Sequence, residues 1–427
     1  MTALKNTIHS GSRASTVQKV QAQCGVEAWL VEDYAVPVVA MDFAFRGGAL
    51  QDSEGRSGTA TMFSAVLDEG AGELDSEAFH RALDEKAIEI SFSADRDVLT
   101  GHMRTLARET SSAFGMLALC LNEARLDDSA VERIRAQLIA GLKQEINDPD
   151  SLAARAFRAM AFTGHAYGLP VRGDLDSVLQ ITRADLAAFY KHSMARDNVK
   201  IAVVGAIDAT TLARELDRAF GPLPAQAMLV SAPFVSMAGV GQVQVMEVDL
   251  PQTTLRFGRP GLARKDPDFM AGMVVNHILG GGVFSARLFK EVREKRGLAY
   301  SVYTQLATYN HTHFLMGATS TKNERALESL DVIQHEIRTL GADGPEADEL
   351  DKAKKYLTGS YALRFDTSTK IASQLVQLQL EGFGVDYLDQ RNSLIDAVTM
   401  DDARRVAARL FGDGALLVTA AGRPAGM

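Results

Sequence analysis

The chain has 427 residues, more than one hydrophobic core commonly holds, so two or more domains are expected. Hydrophobic residues make up 46% and charged residues 23%, the balance of a soluble globular protein. The formal net charge of −9 disfavours nucleic acid and anionic membranes as partners but permits basic peptides.

The first residues carry no sign of a membrane or export segment. Residues 1–23 are polar and lack the apolar centre of a signal peptide, and no stretch approaches the roughly 18 apolar residues that cross a bilayer. We expect a cytoplasmic protein, or a periplasmic one if a signal peptide has been removed. Cys24 and Cys120 are too few for a disulfide framework or a thiolate zinc site, and we expect small buried hydrophobic residues.

The first half of the chain begins with an alternating apolar pattern at residues 38–45, which predicts a strand. A helix-like pattern follows and ends at Leu67, and we expect Asp68 and Glu69 to end that helix in solvent. Residues 129–146 have the spacing of a long amphipathic helix.

The end of the first half has a capped helix and an apolar strand. Thr182 and Asp185 resemble an N-terminal capping box, and residues 199–205 form an apolar run that predicts a strand. Periodicity is then lost and prolines gather over residues 221–241, which predicts a linker. We therefore divide the chain into domains 1–220 and 242–427.

The second half repeats this pattern. A strand is predicted at residues 253–257, a helix-like run ends at Leu279, and residues 323–340 have helical spacing. Thr399 and Asp402 resemble a second capping box, before an apolar run at residues 416–422.

The spacing between corresponding elements is the same in both halves. Thr182 lies 23 residues before Gly205, and Thr399 lies 23 residues before Gly422. The stretch from Phe45 to Leu67 is likewise as long as the stretch from Phe257 to Leu279. A duplication is the economical explanation. We predict an α+β protein of two duplicated domains of about 200 residues that face each other across a cleft.

A glycine run and a basic cluster follow Leu279. Gly280, Gly281 and Gly282 give the backbone freedom at a turn, but neither Walker nor dinucleotide-binding spacing is present. By composition, the basic cluster of Lys290, Arg293, Lys295 and Arg296 is a solvated helix end, where positive charges interact favourably with the helix dipole. Gly297 is expected to end that helix before a strand.

The block from Leu279 to Tyr303 closely resembles the C-terminal-domain signature of the pitrilysin family of metallopeptidases. The resemblance is strongest to the bacterial and mitochondrial-processing-peptidase branch and covers about residues 36–422. In that family an Arg and a Tyr seven positions apart reach toward the zinc site, and these positions fall on Arg293 and Tyr300. A tyrosine can donate to the oxyanion formed during peptide hydrolysis, and an arginine can hold a carbonyl or carboxylate.

The zinc motif of that family is degenerate in this sequence. Catalytic members carry H-x-x-E-H, in which the two His bind zinc and the Glu activates water. The resemblance places Thr61 and Ala65 at the histidine positions and Ser64 at the glutamate position. A further metal-binding Glu is expected near residues 139–141, where the sequence has no acid. The resemblance therefore implies that this chain holds no metal.

No other zinc or nucleophile motif compensates. Of the nine histidines, only His311 and His313 have a spacing that places them on one face of a strand, and no carboxylate lies at a matching offset. The two cysteines have no neighbouring His, so a cysteine peptidase is unsupported.

The resemblance leaves two functions open. The chain is expected to be the zinc-lacking subunit of a heterodimeric peptidase, with zinc in a homologous partner, peptides as substrates and Arg293 and Tyr300 acting at the partner's zinc. The alternative is a structural or peptide-binding scaffold subunit without a role in hydrolysis, as in zinc-lacking family members of respiratory complexes.

Overall fold

The computed structural model describes residues 13–282 and 284–427 of the chain. Residues 1–12, with which the predicted N-terminal domain begins, and Val283, beside the glycine run, lie outside the described residues. The helices are α1 (Thr59–Val66), α2 (Ser76–Asp84), α3 (Thr110–Asn122), α4 (Asp128–Glu145), α5 (Pro149–Ala161), α6 (Leu175–Gln180), α7 (Arg183–Ser193), α8 (Ala209–Phe220), α9 (Phe269–Asn276), α10 (Ala326–Asp343), α11 (Ala347–Gly359), α12 (Ser368–Glu381), α13 (Tyr387–Asp396) and α14 (Met400–Phe411). Two π-helical segments follow α9: His277–Gly281 and Phe289–Lys295.

The strands form two main sheets and a two-stranded hairpin. They are β1 (Gln18–Gln21), β2 (Glu27–Glu32), β3 (Val38–Arg46), β4 (Gly70–Ala71), β5 (Leu74–Asp75), β6 (Glu89–Ala94), β7 (Val98–Leu106), β8 (Val199–Gly205), β9 (Val243–Glu247), β10 (Gln252–Pro260), β11 (Ala299–Tyr309), β12 (Thr312–Lys322) and β13 (Leu417–Gly422). The first sheet has the order β1-β2-β8-β3-β7-β6 and the second has the order β11-β12-β10-β13-β9.

The two sheets have the same topology, which confirms the predicted duplication of an α+β unit. In each sheet one pair is parallel, β2 with β8 and β9 with β13, and the remaining pairs are antiparallel. Strands β2, β8, β3, β7 and β6 therefore correspond in order to β9, β13, β10, β12 and β11. Strand β1 is an additional edge of the first sheet.

A phenylalanine lies across from a glycine at the same place in both sheets. Phe43 pairs with Gly101 between β3 and β7, and Phe257 pairs with Gly317 between β10 and β12. A Cβ on Gly101 would lie 2.1 Å from the Phe43 ring, and a Cβ on Gly317 would lie 2.4 Å from the Phe257 ring. Each ring thus fills the space that a side chain on the glycine would need.

Both predicted capping boxes are present. Thr182 and Asp185 exchange side-chain and backbone hydrogen bonds at the start of α7, and Thr399 and Asp402 do the same at the start of α14. Each box supplies partners to N–H groups that have none within the first helical turn.

Each half covers one face of the other half's sheet with a helix. Helix α12 packs on the first sheet, where Leu375 and Val376 join a buried cluster with Ala202 and Val204. Helix α5 packs on the second sheet, where Phe157 joins a buried cluster with residues of β11, β12 and β13. Helix α5 is the third α-helix after β7, and α12 is the third α-helix after β12, so the two helices are equivalent in the duplicated halves. Each half therefore packs its copy of this helix on the sheet of the other half.

Buried hydrogen bonds accompany this exchange. Gln379 Nε2 on α12 donates to the Ile201 carbonyl oxygen at 2.8 Å, and Thr419 Oγ1 on β13 donates to the Ala153 carbonyl oxygen of α5 at 2.8 Å. Because removal of one partner would leave a buried polar group unsatisfied, these bonds fix how the helices sit on the sheets.

Each half also has a hydrophobic cluster of its own. One cluster runs from Val20 to Leu223, and a second contains residues from Leu255 onward. Residues 221–241 contain no helix or strand, and backbone N–H groups of this segment donate to the carbonyl oxygens of His192, His311 and Leu416, which belong to both halves. No helix of the described ranges has the length and apolar character to span a bilayer.

Candidate functional site

Helix α1, which carries the predicted zinc-motif positions, begins at a glycine turn. Gly58 has a φ of 98°, a conformation that residues with a Cβ rarely adopt. The backbone N–H groups of Gly58 and Ala60 donate to the Asp52 carboxylate at 2.7 and 2.8 Å. Since these N–H groups have no partner within the helix, Asp52 stabilises its first turn.

The side chains at the three predicted motif positions on α1 make structural contacts. Thr61 Oγ1 donates to the Val171 carbonyl oxygen at 2.8 Å, and Ser64 Oγ donates to the Thr61 carbonyl oxygen at 2.8 Å. Ala65 packs against the N-terminal core. A methyl group offers no metal ligand, and a Ser hydroxyl is a poor general base near neutral pH.

A guanidinium lies where the further metal-binding Glu was expected. A Cβ on Gly141 of α4 would be 2.6 Å from an Arg172 side-chain nitrogen. Arg172 pairs with Glu145 one turn further along α4 and follows Val171, whose carbonyl oxygen binds Thr61. A fixed positive charge at this place disfavours a metal cation.

The histidines at 311 and 313 are involved in packing. The backbone N–H of His311 donates to Tyr167 Oη at 3.1 Å, and the His313 ring lies 5.1 Å from the Phe234 ring. Burial lowers the pKa of His313. Over residues 13–282 and 284–427, no group of three or more His, Cys, Asp or Glu side chains is arranged to hold a metal.

The prediction that Asp68 and Glu69 end α1 in solvent is wrong. Glu69 forms an ion pair with Arg133 of α4 and accepts a hydrogen bond from Ser76 Oγ at 2.5 Å. Asp68 is partly buried, and burial raises its pKa to about 6. The sequence spacing around α1 gave no information on α4, which packs beside it.

Asp52 makes stability depend on pH. Burial raises its pKa to about 7, against the lowering effect of the backbone N–H donors. Because this folded-state pKa lies above the unfolded value of about 3.9, the folded protein binds the proton more tightly. This contribution to stability is present below about pH 4 and is lost as the pH rises to about 7.

We therefore expect the melting temperature of Asp52→Asn to fall less between pH 4.5 and 7.5 than that of the wild type, because the amide does not titrate. Asp84→Asn, a substitution at an exposed residue of α2, is the matched control. Equal pH dependence in the wild type and Asp52→Asn would refute this role of Asp52.

The glycine run packs closely on neighbouring elements. A Cβ on Gly280 would lie 2.6 Å from Thr304 Oγ1, and a Cβ on Gly281 would lie 2.9 Å from Asn276 Nδ2. The run overlaps the first π-helical segment and precedes the second, and such segments are frequent at functional sites. The glycines thus allow the chain to approach β11 and α9.

Arg293 and Tyr300 are stacked together at the surface. The guanidinium carbon of Arg293 lies 4.7 Å from the Tyr300 ring centroid and 4.7 Å from the Phe289 ring centroid. Tyr300 is 82% exposed. Contact with two aromatic rings orients the guanidinium, and the Arg293 side chain is half-buried between them.

Two other members of the basic cluster share one carboxylate. Lys295 and Arg296 both pair with Glu291, which holds the pKa of that carboxyl below its usual range. Within the described part of the chain, no carboxylate partner is recorded for Arg293. Gly297, with a φ of 58°, ends the segment as predicted.

A β-bulge lies at the position of Tyr300. The register of β11 against β12 shifts between Ala299 and Val302, which adds one residue to β11. Bulges next to active sites often redirect a side chain. Three residues further on, Tyr303 Oη accepts from Arg256 at 3.0 Å, and Arg256 pairs with Asp150 of α5 at 2.6 Å.

A groove of about 450 Å³ is lined by residues of the first half and by Arg256 of the second. Glu145, Asp150 and Gly173 are among its residues from the first half. The groove extends from Gly173, in the loop that accepts the Thr61 hydrogen bond, to Arg256, which contacts Tyr303.

Two features of the site were missed in the sequence. The contact between Phe289 and Arg293 was not predicted, although a spacing of four residues is that of a contacting pair on a helix. Arg172 gave no signal, because its contact with Gly141 joins segments that are far apart in the chain.

Comparison with known proteins gives consistent similarities. Residues 180–357 match the model described as the peptidase M16 inactive domain. The non-peptidase homolog YmxG of Helicobacter pylori is 28% identical over 356 residues, which cover 83% of this chain and 82% of that protein. An uncharacterized zinc protease of Streptomyces coelicolor, SCO5738, is 25% identical over 374 residues, which cover 86% of this chain and 81% of that protein.

A solved structure agrees in fold. The crystal structure of a peptidase M16 inactive domain from Pseudomonas fluorescens matches with a TM-score of 0.90 and 26% identity, over 96% of this chain and 98% of that one. The matching sheets and the sequence similarity point the same way. Over most of its length the chain is similar to pitrilysin-like proteins of the peptidase M16 family, and the family model that matches it is the one described as inactive.

Proposed function

We propose that the chain is the zinc-lacking subunit of a heterodimeric metallopeptidase. A homologous partner holds the zinc, and Arg293 and Tyr300 bind the peptide beside it. The observation that carries this proposal is the stacking of Arg293 on an exposed Tyr300, in a chain whose predicted zinc positions are Thr61, Ser64 and Ala65.

The proposed roles follow from the donors that each side chain offers. Arg293 holds a backbone carbonyl or a carboxylate of the peptide through its fork of N–H groups. Tyr300 donates its hydroxyl proton to the carbonyl oxygen, and this hydrogen bond strengthens as the oxygen becomes an oxyanion. A zinc ion held by the partner would supply the attacking nucleophile, because zinc lowers the pKa of bound water.

Reconstitution with a partner tests this function. The chain is mixed with a homologous subunit that carries an intact H-x-x-E-H motif, and cleavage of an unstructured peptide is measured. We expect the mixture to cleave much faster than either protein alone and to lose activity when a chelator removes the zinc. A mixture no more active than the partner alone would contradict the proposal.

The second candidate is a scaffold or peptide-binding subunit without a role in hydrolysis. The name of the Helicobacter pylori relative, a non-peptidase homolog, favours it. Pull-down from native extract distinguishes the two candidates. Recovery of a zinc-bearing homologue supports the peptidase subunit, whereas recovery of a membrane complex without peptidase activity supports the scaffold.

A further inference from the structure

A second cavity lies inside the C-terminal half, apart from the Arg293–Tyr300 pair. It has a volume of about 350 Å³, opens to solvent, and is lined by α9, β11, α11, α12, α13 and the 3₁₀ turn Ser360–Phe365. This size accepts a small molecule or one or two residues of a peptide. The wall contains three arginines: Arg264, Arg364 and Arg391.

The wall has more positive than negative charge. Among the described residues that line the cavity, the one carboxylate is Glu381, and it already pairs with Arg264 at 2.7 Å. Arg364 is exposed toward solvent, and no ion pair is recorded for it in the described ranges. Two of the three guanidinium groups are therefore without a charged partner in the cavity.

Arg391 is the unusual member of the three. Its side chain lies 4.1 Å from the Tyr361 ring centroid and donates to the Leu357 carbonyl oxygen at 3.1 Å and to Asn392 Oδ1 at 3.0 Å. Only 6% of Arg391 is exposed, and each of these partners is uncharged. A buried charge is costly unless an opposite charge compensates it.

The electrostatics agree with this geometry. Burial lowers the pKa of Arg391, and the neighbouring Arg364 and Arg264 act in the same direction. A negatively charged ligand would relieve both effects. The neutral side chains of Gln305 and Gln374 on the same wall offer amide donors to such a ligand.

We propose that this cavity binds an oxyanion, the carboxylate or phosphate group of a small ligand or peptide end, between Arg364 and Arg391. The planar guanidinium fork matches both groups. The proposal does not depend on the peptidase function: the cavity shares Gly281 with the glycine run but contains neither Arg293 nor Tyr300.

Titration calorimetry on the isolated full-length chain tests the site. The probes are inorganic phosphate, an acetylated dialanine with a free carboxylate and the same peptide as its amide, at constant ionic strength. We expect saturable binding of at least one anionic probe and none of the amide. Binding of phosphate alone, or of the carboxylate peptide alone, identifies the source of the oxyanion.

Three variants assign the binding to this cavity. Arg364 is exposed, so one charge can be removed there from the folded chain. The Arg364→Gln variant should raise the Kd at least about tenfold. Arg364→Lys keeps the charge but loses the fork, so its Kd should lie between those of the wild type and Arg364→Gln. Arg108→Gln, at a distant exposed arginine of the other half, should leave the affinity unchanged. Absence of binding by both anions, or equal affinity in the wild type and Arg364→Gln, would overturn the proposal.

Discussion

The Tyr300→Phe variant is expected to lower the kcat of the reconstituted heterodimer about 100-fold, the usual effect of removing one oxyanion donor. The ring remains, so the stacking with Arg293 at 4.7 Å is retained and only the hydroxyl is lost. Because the hydrogen bond is strongest in the transition state, KM should change little. The measurement is steady-state cleavage of an unstructured peptide by the variant mixed with its zinc-bearing partner.

A matched control separates this effect from general damage. Tyr34→Phe removes a hydroxyl from another exposed tyrosine, 62% accessible and in the other half of the chain. It should leave both kcat and KM unchanged. If Tyr300→Phe cleaves as fast as the wild type while still bound to the partner, the role assigned to Tyr300 is wrong.

The Leu375→Ala variant is expected to lower the free energy of unfolding by about 3 kcal/mol, within the usual range for a buried leucine. Leu375 is 1% exposed and lies in the cluster that joins α12 to Ala202 and Val204 of the first sheet. The substitution leaves a cavity between the halves, where the helix and sheet cannot fully close. Chemical denaturation followed by circular dichroism gives the change.

Leu394→Ala is the control for this prediction. Leu394 is 43% exposed on α13, so its truncation should cost clearly less. An equal loss of stability in the two variants would show that the α12 interface does not hold the halves together.

Much of the fold followed from local and repeated patterns. The boxes at Thr182 and Thr399 are contacts over three residues, so their chemistry is visible in the sequence itself. The equal spacings predicted the duplication that the matching strand orders confirm. The exchange of α5 and α12 was not predicted, because an amphipathic pattern indicates that a helix buries one face but not which sheet covers it.

In the candidate site too, local features could be predicted from the sequence and contacts between distant segments could not. The altered identities at Thr61, Ser64 and Ala65 were evident in the sequence through the family resemblance. The guanidinium over Gly141 and the bulge at Tyr300 depend on contacts between distant segments. The proposed roles of Arg293 and Tyr300 therefore rest on resemblance together with their stacking and exposure.

The most direct measurement determines the zinc content and peptidase activity of the isolated chain, purified without chelators. We expect no stoichiometric zinc and no cleavage by the chain alone, with activity after addition of the zinc-bearing homologue. One tightly bound zinc per chain together with unaided digestion of peptides would contradict the account.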